Sequence, residues 1–473
     1  MVRHERWVML TTLALLQILT IVTGVWAVTT SLDVDAMTRQ PSPDEPTASP
    51  EGSPAAPVVT AGPVLSGLAA RAGDGPLPTK STLTRQLTDA LGDKELGARV
   101  GAVVLDAATG QRIFAANADT GITPASTTKL VTSIAALASL GPDARFATRV
   151  VQGATPGAVV LVGGGDPTLA GPSAKPGAYP KPASLATLAA RTAAALKAKG
   201  VTKVTLSYDA SLYTGPRVCS CWKPNYIPDG EVAPVSSLVI DEGRRYPSQS
   251  TPRVTDPPRF ATAAFARLLG RQGISVSGSA RPAKAPAGAA ELARVESPPV
   301  YALVEHTLTF SDDDLAEALA RQVAVKEGQP ASFDGGAAAT LQVLKRLGLP
   351  GGVQIRDGSG LSPFNRISPD ALARVIATAG SAAHPELRAV ASGMPVAGFS
   401  GTLGNGRRFT SADSKGQVGL VRAKTGTLNN VNTLAGLATT KDGRLVTFAF
   451  MADRVPLNAE PVLDKLAAIV ARS

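Results

Sequence analysis

The chain has 473 residues, of which 44% are hydrophobic, 18% charged and 4% aromatic, and its formal net charge is +10. This length suits about three domains. The hydrophobic content excludes a wholly disordered chain, and 46 Gly and 37 Pro without a triplet period exclude a collagen. No zinc-finger spacing, basic helix or aromatic-rich basic strand accompanies the positive charge, which argues against a nucleic-acid partner and favours a basic surface facing an anionic envelope.

The N-terminal segment, residues 1–39, is predicted to be an export signal or a membrane anchor. Basic residues precede an uncharged run of 22 residues, 7–28, which as a helix is long enough to cross a bilayer. The positive flank places the N-terminus in the cytoplasm and the rest of the chain outside. Cleavage after Ala27 and retention as an anchor both stay open.

Residues 40–77 are predicted to form a linker. Prolines recur there among Ser, Thr, Ala and acidic residues, a composition that cannot bury a core and that keeps the backbone extended. Folded sequence is predicted to begin near Pro78, with a short helix over Lys80–Leu91 that Gly92 ends. Two apolar runs, 100–105 and 111–116, flank a turn and predict a hairpin.

The next helix carries a serine and a lysine. Leu130, Ile134 and Leu137 recur at helical spacing. Ser126 and Lys129, three positions apart at the start of this helix, share a face. A serine hydroxyl needs a neighbouring base to become a nucleophile, and a lysine amine can be that base. The backbone N–H of Ser126, at the helix N-terminus, is a candidate oxyanion donor.

Taken alone, this pair has a simpler interpretation. Ser126 can be an N-cap residue and Lys129 a solvated lysine. Histidine chemistry offers no nearby alternative, because a Ser-His-Asp arrangement could arise only through folding. His306 and His384 are predicted to be structural or surface residues.

The middle of the chain predicts small α/β packing with little chemistry. Two helical patterns, 184–199 and 260–269, are each followed by an extended segment, 201–208 and 274–276. For the two cysteines, Cys219 and Cys221, two alternatives stay open outside the cytoplasm: a local disulfide or two free thiols. Two sulfurs without a nearby histidine do not make a zinc site.

Two further motifs follow. Ser311-Asp312-Asp313 precedes a helical pattern, and by itself it is typical of a helix N-cap with an acidic first turn. Lys424-Thr425-Gly426-Thr427 lies at a predicted strand edge, where Lys424 and Thr425 could bind a substrate carboxylate. Gly426 would let a substrate backbone come close, and the Thr427 backbone N–H would be a second oxyanion donor. The simpler alternative for this motif is a strand end with an exposed lysine.

The order Ser-x-x-Lys, Ser-Asp-Asp, Lys-Thr-Gly resembles the motif set of penicillin-binding proteins and serine β-lactamases. The chain is similar to the class C low-molecular-mass penicillin-binding proteins, the D-alanyl-D-alanine carboxypeptidase/endopeptidase family. The 182 positions between Lys129 and Ser311 exceed what compact β-lactamases allow and indicate inserted domains. Further segments carry the resemblance: 164–169, 241–244, 316–319, 357–362 and 400–403.

The resemblance implies an α/β (α+β) fold of the penicillin-binding/serine β-lactamase-like transpeptidase type. In this fold an antiparallel sheet has helices on both sides, and here a large α/β region is inserted. The serine peptidase domain is expected to comprise residues 78–165 and 290–473. Residues 166–289 are expected to form the inserted domain or domains.

The resemblance also implies an exported enzyme that acts on peptidoglycan stem peptides. Ser126 would attack the carbonyl between two terminal D-alanines, Lys129 would be the general base, and Ser311 would relay the proton to the leaving amine. Asp313 and residues 424–427 would bind substrate. β-Lactam antibiotics are expected as covalent inhibitors, no metal or organic cofactor is expected, and the balance between carboxypeptidase and endopeptidase stays open.

Asp313 departs from the family, which normally has Asn there. An amide donates and accepts hydrogen bonds, whereas a carboxylate only accepts and adds charge. An ionised Asp313 beside Lys129 would hold the lysine protonated and weaken it as a base. A slower enzyme, a tolerated change and a protonated Asp313 are all open, as is a non-catalytic peptidoglycan- or penicillin-binding module. A β-lactamase is a more distant alternative, because no dedicated deacylation base is evident.

Overall fold

The computed structural model describes residues 75–173, 177, 179–349, 351–404 and 406–473. The predicted export segment, 1–39, and all but the end of the predicted linker lie outside these residues. Within the described part of the chain, no helix combines the length and the apolar character needed to cross a bilayer.

The described helices and strands alternate along most of the chain. The helices are α1 (Lys80–Leu91), α2 (Thr128–Leu140), α3 (Leu185–Lys197), α4 (Pro257–Arg271), α5 (Val300–Phe310), α6 (Asp313–Lys326), α7 (Phe333–Arg346), α8 (Pro369–Gly380), α9 (Ala389–Gly393) and α10 (Glu460–Arg472). The strands are β1 (Arg99–Asp106), β2 (Arg112–Ala116), β3 (Ala147–Gln152), β4 (Ala158–Val162), β5 (Lys203–Asp209), β6 (Ser275–Pro282), β7 (Glu291–Glu296), β8 (Val353–Gln354), β9 (Arg366–Ile367), β10 (Val421–Leu428), β11 (Val431–Thr439) and β12 (Leu445–Asp453).

The first sheet is antiparallel and has the strand order β10-β11-β12-β1-β2. Strand β12 is buried along almost its whole length, because both faces of the sheet are covered. Phe448 and Phe450 point into a core shared with α1 and α10. Ala449 and Met451 point into the opposite core, shared with α2 and α5 to α9. The side-chain period of two therefore divides one strand between two cores.

The second sheet is mixed and has the strand order β6-β5-β4-β3-β7. Strands β4, β5 and β6 run parallel, and β3 pairs antiparallel with β4 and β7. Helices α3 and α4 pack against this sheet around Leu188, Phe265 and their apolar neighbours. Together the two sheets confirm the predicted architecture, an antiparallel sheet with helices on both sides and an inserted α/β region.

The second sheet draws strands from beyond the range predicted for the insertion. β3 and β4 precede residue 166, and β7 follows residue 289. The division at 165/166 and 289/290 stays a prediction. Its placement followed motifs and turn signals, whereas strand pairing depends on contacts between distant segments.

A small apolar cluster joins the inserted region to the helices of the first sheet. Cys219 and Cys221 form a disulfide, which is one of the two alternatives left open by the sequence. The neighbouring Trp222 packs edge-on against Phe333 at the start of α7, with ring centroids 5.1 Å apart. This contact brings the segment after β5 close to the motifs named above.

Candidate active site

The segment that carries Ser126 is a single 3₁₀ turn, Ala125–Thr127, and α2 begins directly after it at Thr128. Ala125 has a φ of +49°, in the left-handed region. The carbonyl of Pro124 accepts hydrogen bonds from Thr127 Oγ1, at 2.6 Å, and from Thr433 Oγ1 of β11, at 2.8 Å. Ser126 is therefore not the N-cap residue of α2. A strained turn anchored to the sheet presents its hydroxyl instead.

Lys129 is fully buried behind this turn. Its Nζ lies 2.9 Å from Ser126 Oγ, 2.6 Å from Asp313 Oδ1 and 2.7 Å from the carbonyl oxygen of Ser359. The carboxylate and the carbonyl fix the amine next to the hydroxyl. The amine lies within reach of the hydroxyl, as predicted, although Ser126 lies in the turn before α2 rather than on the helix itself. The alternative of a solvated lysine is wrong.

Ser311 lies where α5 ends, with a φ of +61° in the left-handed region. Asp312 then caps α6, because its Oδ1 accepts the N–H of Leu315 at 2.9 Å. Asp313 opens α6 and reaches Lys129. The predicted cap with an acidic first turn is present, and the same three residues also bring a hydroxyl and a carboxylate into the cleft.

Lys424 lies across the cleft in the edge strand β10. It is fully buried, and its Nζ donates to Ser311 Oγ at 2.9 Å and to the carbonyl of Thr425 at 2.9 Å. Burial, together with the positive charge of Lys129, lowers the pKa of Lys424 well below its ordinary value. The predicted alternative of an exposed lysine is wrong. An arriving carboxylate would oppose both effects and favour the protonated amine.

The rest of the Lys-Thr-Gly-Thr motif lies along the same strand. Thr425 Oγ1 donates to Thr402 Oγ1 at 2.8 Å, and Thr427 Oγ1 donates to Glu460 Oε1 at 3.1 Å. A Cβ on Gly426 would lie 2.6 Å from the Pro124 carbonyl oxygen. Gly426 therefore leaves space for the nucleophile turn, a different use from the substrate approach expected from the sequence.

Asp313 is a buried carboxyl group with a shifted pKa. Burial raises its pKa above the ordinary value, and the ammonium group of Lys129 opposes that rise. Negative charges on Asp312 and Glu231 add to the rise. The carboxylate therefore depends on Lys129 to remain ionised.

Motif analysis did not single out the contacts that hold the Ser359 carbonyl against Lys129. Glu317 Oε1 accepts the backbone N–H groups of Gly358, at 3.0 Å, and Ser359, at 2.8 Å. Asp357 Oδ2 accepts the indole N–H of Trp222 at 2.8 Å. The spacing of Glu317 four residues after Asp313 was a usable helical signal. Trp222 gave none, because its contact crosses 135 residues.

A cleft of about 750 Å³ opens over Ser126. Ser311, Asp313, Thr425 and Thr427 line it. The inserted region adds further lining residues, Tyr226 and Glu231 among them. The cleft thus collects side chains from segments far apart in the chain.

His306 and His384 do not line the cleft. His384 Nδ1 lies 3.1 Å from Glu386, and His306 Nε2 lies 3.6 Å from Asp312 Oδ2. Their predicted structural or surface roles agree with these positions.

Glu242, His306 and Asp312 place three donor atoms within 4.8 Å of one another, the one such group among the described residues. Arg244 already pairs with Glu242 there, so a cation is supplied by the chain itself.

Glu317 gives a pH-dependent prediction. Burial and the charge of Asp357 raise its pKa from 4.5 to about 8. Between these values the unfolded chain loses this proton and the folded chain keeps it, so stability should fall as the pH rises from about 4.5 to about 8. The free energy of unfolding, measured with denaturant from pH 5 to 8.5, should therefore fall less steeply with pH in Glu317→Gln than in the native protein, by about 1 kcal/mol per pH unit. Equal slopes in the two proteins would contradict a protonated Glu317.

Comparison with known proteins identifies similar sequences over most of the chain. A sequence profile of the D-Ala-D-Ala carboxypeptidase 3 (S13) family matches residues 83–252 and 246–472. A carboxypeptidase of Mycobacterium tuberculosis is 36% identical over 409 residues, which cover 85% of this chain and 87% of the relative. Carboxypeptidase DacB of Mycolicibacterium smegmatis is 35% identical over 400 residues, covering 84% and 85%.

Solved structures show the same fold. Penicillin binding protein 4 (dacB) from Haemophilus influenzae superposes with a TM-score of 0.66 at 22% identity, over 83% of this chain and 98% of that chain. Its complex with a β-lactam superposes with a TM-score of 0.63 at 23% identity, over the same shares of the two chains.

Proposed function

Since the chain belongs to the D-Ala-D-Ala carboxypeptidase 3 (S13) family, we propose that it hydrolyses the terminal D-alanyl-D-alanine bond of peptidoglycan stem peptides through an acyl-enzyme on Ser126. One observation carries the assignment of the nucleophile. The Lys129 amine lies 2.9 Å from the hydroxyl of Ser126, which lines a cleft together with Ser311, the hydrogen-bond partner of Lys424.

In the first step Lys129 accepts the Ser126 proton while Oγ attacks the peptide carbonyl. The new C–O bond places negative charge on the carbonyl oxygen. The backbone N–H groups of Ser126 and Thr427 stabilise this oxyanion. Asp313 orients Lys129. The asparagine that the family normally has at this position could also donate a hydrogen bond to the substrate carbonyl, which a carboxylate cannot do. Other groups therefore have to make that hydrogen bond here.

Collapse of this intermediate breaks the C–N bond. Ser311 Oγ delivers a proton to the departing amine of D-alanine and takes one from Lys424, 2.9 Å away. Until that transfer, the charge of Lys424 and the Thr425 hydroxyl bind the terminal carboxylate of the substrate. Water then attacks the ester on Ser126: its proton passes through Ser311 to Lys424, and Lys129 returns to Ser126 Oγ the proton that it accepted in the first step. Both amines thus recover their starting protonation states, and the scheme requires no metal or organic cofactor.

This activity places the protein outside the cytoplasm, where stem peptides are. Residues 1–39 would direct its export, either as a cleaved signal or as a retained anchor. β-Lactams would acylate Ser126, a proposal supported by the β-lactam complex of the Haemophilus protein of the same fold. The same chemistry would also cut a D-alanyl cross-link if the cleft admits one.

The direct test is release of D-alanine from a synthetic pentapeptide that ends in D-Ala-D-Ala, followed beside intact-mass detection of penicillin on the protein. We expect turnover and a single adduct at Ser126. Penicillin or peptide binding with neither adduct nor D-alanine release would favour the non-catalytic binding module. A penicillin adduct on the protein that is rapidly hydrolysed, without turnover of the peptide, would favour a β-lactamase.

Asp313→Asn tests how the carboxylate at position 313 affects the rate of acylation. The substitution removes the anion 2.6 Å from Lys129 and supplies an amide, which accepts from the lysine and also donates to a substrate carbonyl. We expect acylation by penicillin to become about tenfold faster, the effect of one added hydrogen bond that strengthens in the transition state. Stopped-flow acylation rates from pH 5 to 9 measure this. An unchanged rate would mean that the site tolerates either residue, and a slower rate would mean that the native site depends on Asp313.

A further inference from the structure

The inserted region contains a second recess, separate from the catalytic cleft. It has a volume of about 330 Å³ and lies between α4 and the loop after Ile240. This volume is at the lower end of the range of small-molecule sites in proteins. The catalytic mechanism uses none of its lining residues.

Three arginines line this recess: Arg245 from the loop, and Arg267 and Arg271 from α4. Arg267 and Arg271 are four residues apart and so share one face of the helix. All three side chains are exposed. None has an ion-pair or side-chain hydrogen-bond partner among the described residues.

The acidic residue in the lining does not neutralise them. Asp241 Oδ1 accepts the backbone N–H of Gly171 at 2.9 Å, and its carboxylate is attracted to Arg244. Three neighbouring guanidinium groups repel one another unless an anion lies between them. The planar guanidinium fork matches the oxygens of phosphate or carboxylate groups.

The rest of the recess is apolar. Ile240 and Leu268 are buried in its floor, with exposed fractions of 1% and 8%. The ring of Tyr246 lines it with 52% of its surface exposed. An apolar floor beneath a small number of charged groups is the usual composition of a site for an organic ligand. The ligand indicated is thus an organic anion rather than a bare inorganic ion.

We propose that Arg245, Arg267 and Arg271 bind the phosphate or carboxylate groups of an anionic organic polymer of the cell envelope, so that the inserted region holds the enzyme on the wall. The location outside the cytoplasm rests on the proposed function. A concave site favours a polymer over a lipid surface, because a flat bilayer meets projecting side chains and cannot enter a recess.

The test compares two triple variants of the full-length protein in detergent. One replaces Arg245, Arg267 and Arg271 by Ala. The matched control replaces Arg85, Arg259 and Arg281, which are also exposed, by Ala and removes the same charge. Fluorescence anisotropy with labelled poly(glycerol phosphate) and labelled polygalacturonate separates phosphate from carboxylate recognition.

We expect the recess variant to bind at least one of the two polymers tenfold or more weakly, and the control variant to lose less than threefold. Equal losses in both variants would overturn the site, since net charge alone would then explain binding. Binding of phosphatidylglycerol vesicles that is weakened in the recess variant and kept in the control, without binding of either polymer, would make this face a membrane surface instead. Penicillin labelling should be unchanged in both variants, so failure of the recess is distinguishable from failure of the Ser126 chemistry.

Discussion

Ser126→Ala should abolish acylation by penicillin and lower the rate of D-alanine release by about 10⁴-fold or more, since the variant lacks the oxygen that forms the acyl-enzyme. Intact-mass spectrometry after incubation with penicillin measures the first effect, and D-alanine release measures the second. Stability should change by only about 1 kcal/mol, because the substitution removes a single side-chain hydrogen bond.

Ser133→Ala is the matched control for this variant. Ser133 lies on the same helix, α2, and its buried hydroxyl has no hydrogen-bond partner in the part of the chain that the structure describes. Loss of that hydroxyl should leave acylation within about twofold of the native rate. Persistent acylation in Ser126→Ala would transfer the nucleophile to another residue, with Ser311 the first to examine because it also lines the cleft.

Lys129→Met should lower the acylation rate by about 10²- to 10⁴-fold, the usual contribution of a general base. The substitution keeps most of the buried volume and removes the amine. It also leaves Asp313 largely buried without its cation, which should destabilise the fold by about 3 kcal/mol. Acylation kinetics and denaturant unfolding measure the two effects separately.

The double variant Lys129→Met, Asp313→Asn distinguishes catalysis from folding. Neutralising the carboxylate should restore much of the lost stability, because no uncompensated charge then remains buried. Acylation should stay as slow as in Lys129→Met. Recovery of acylation together with stability would show that Lys129 is a structural partner of Asp313 and that another group accepts the proton. Lys424, through Ser311, would be that group.

Local patterns in the sequence were enough for several elements. The helix over Lys80–Leu91 has the predicted bounds, and the hairpin of β1 and β2 agrees within a residue or two. Hydrophobic spacing and turn residues determine such elements over a few neighbouring positions. The resemblance built on three short motifs is confirmed by the family that the chain belongs to.

Tertiary structure decided how those motifs work together. The contact of Lys129 with Asp313 spans 184 positions, and the contact of Trp222 with Asp357 spans 135. No periodicity encodes contacts over such distances, because they depend on how separate elements pack. For the same reason the second sheet recruits β3, β4 and β7 from outside the predicted insertion.

The sequence by itself determined which chemical groups are present, including the aspartate at position 313 where the family normally has asparagine. Only the tertiary structure decided their environment. Burial lowers the pKa of Lys424 and raises that of Asp313. Both changes follow from the removal of water around a charge, and the amount of water removed depends on which distant segments close over the site.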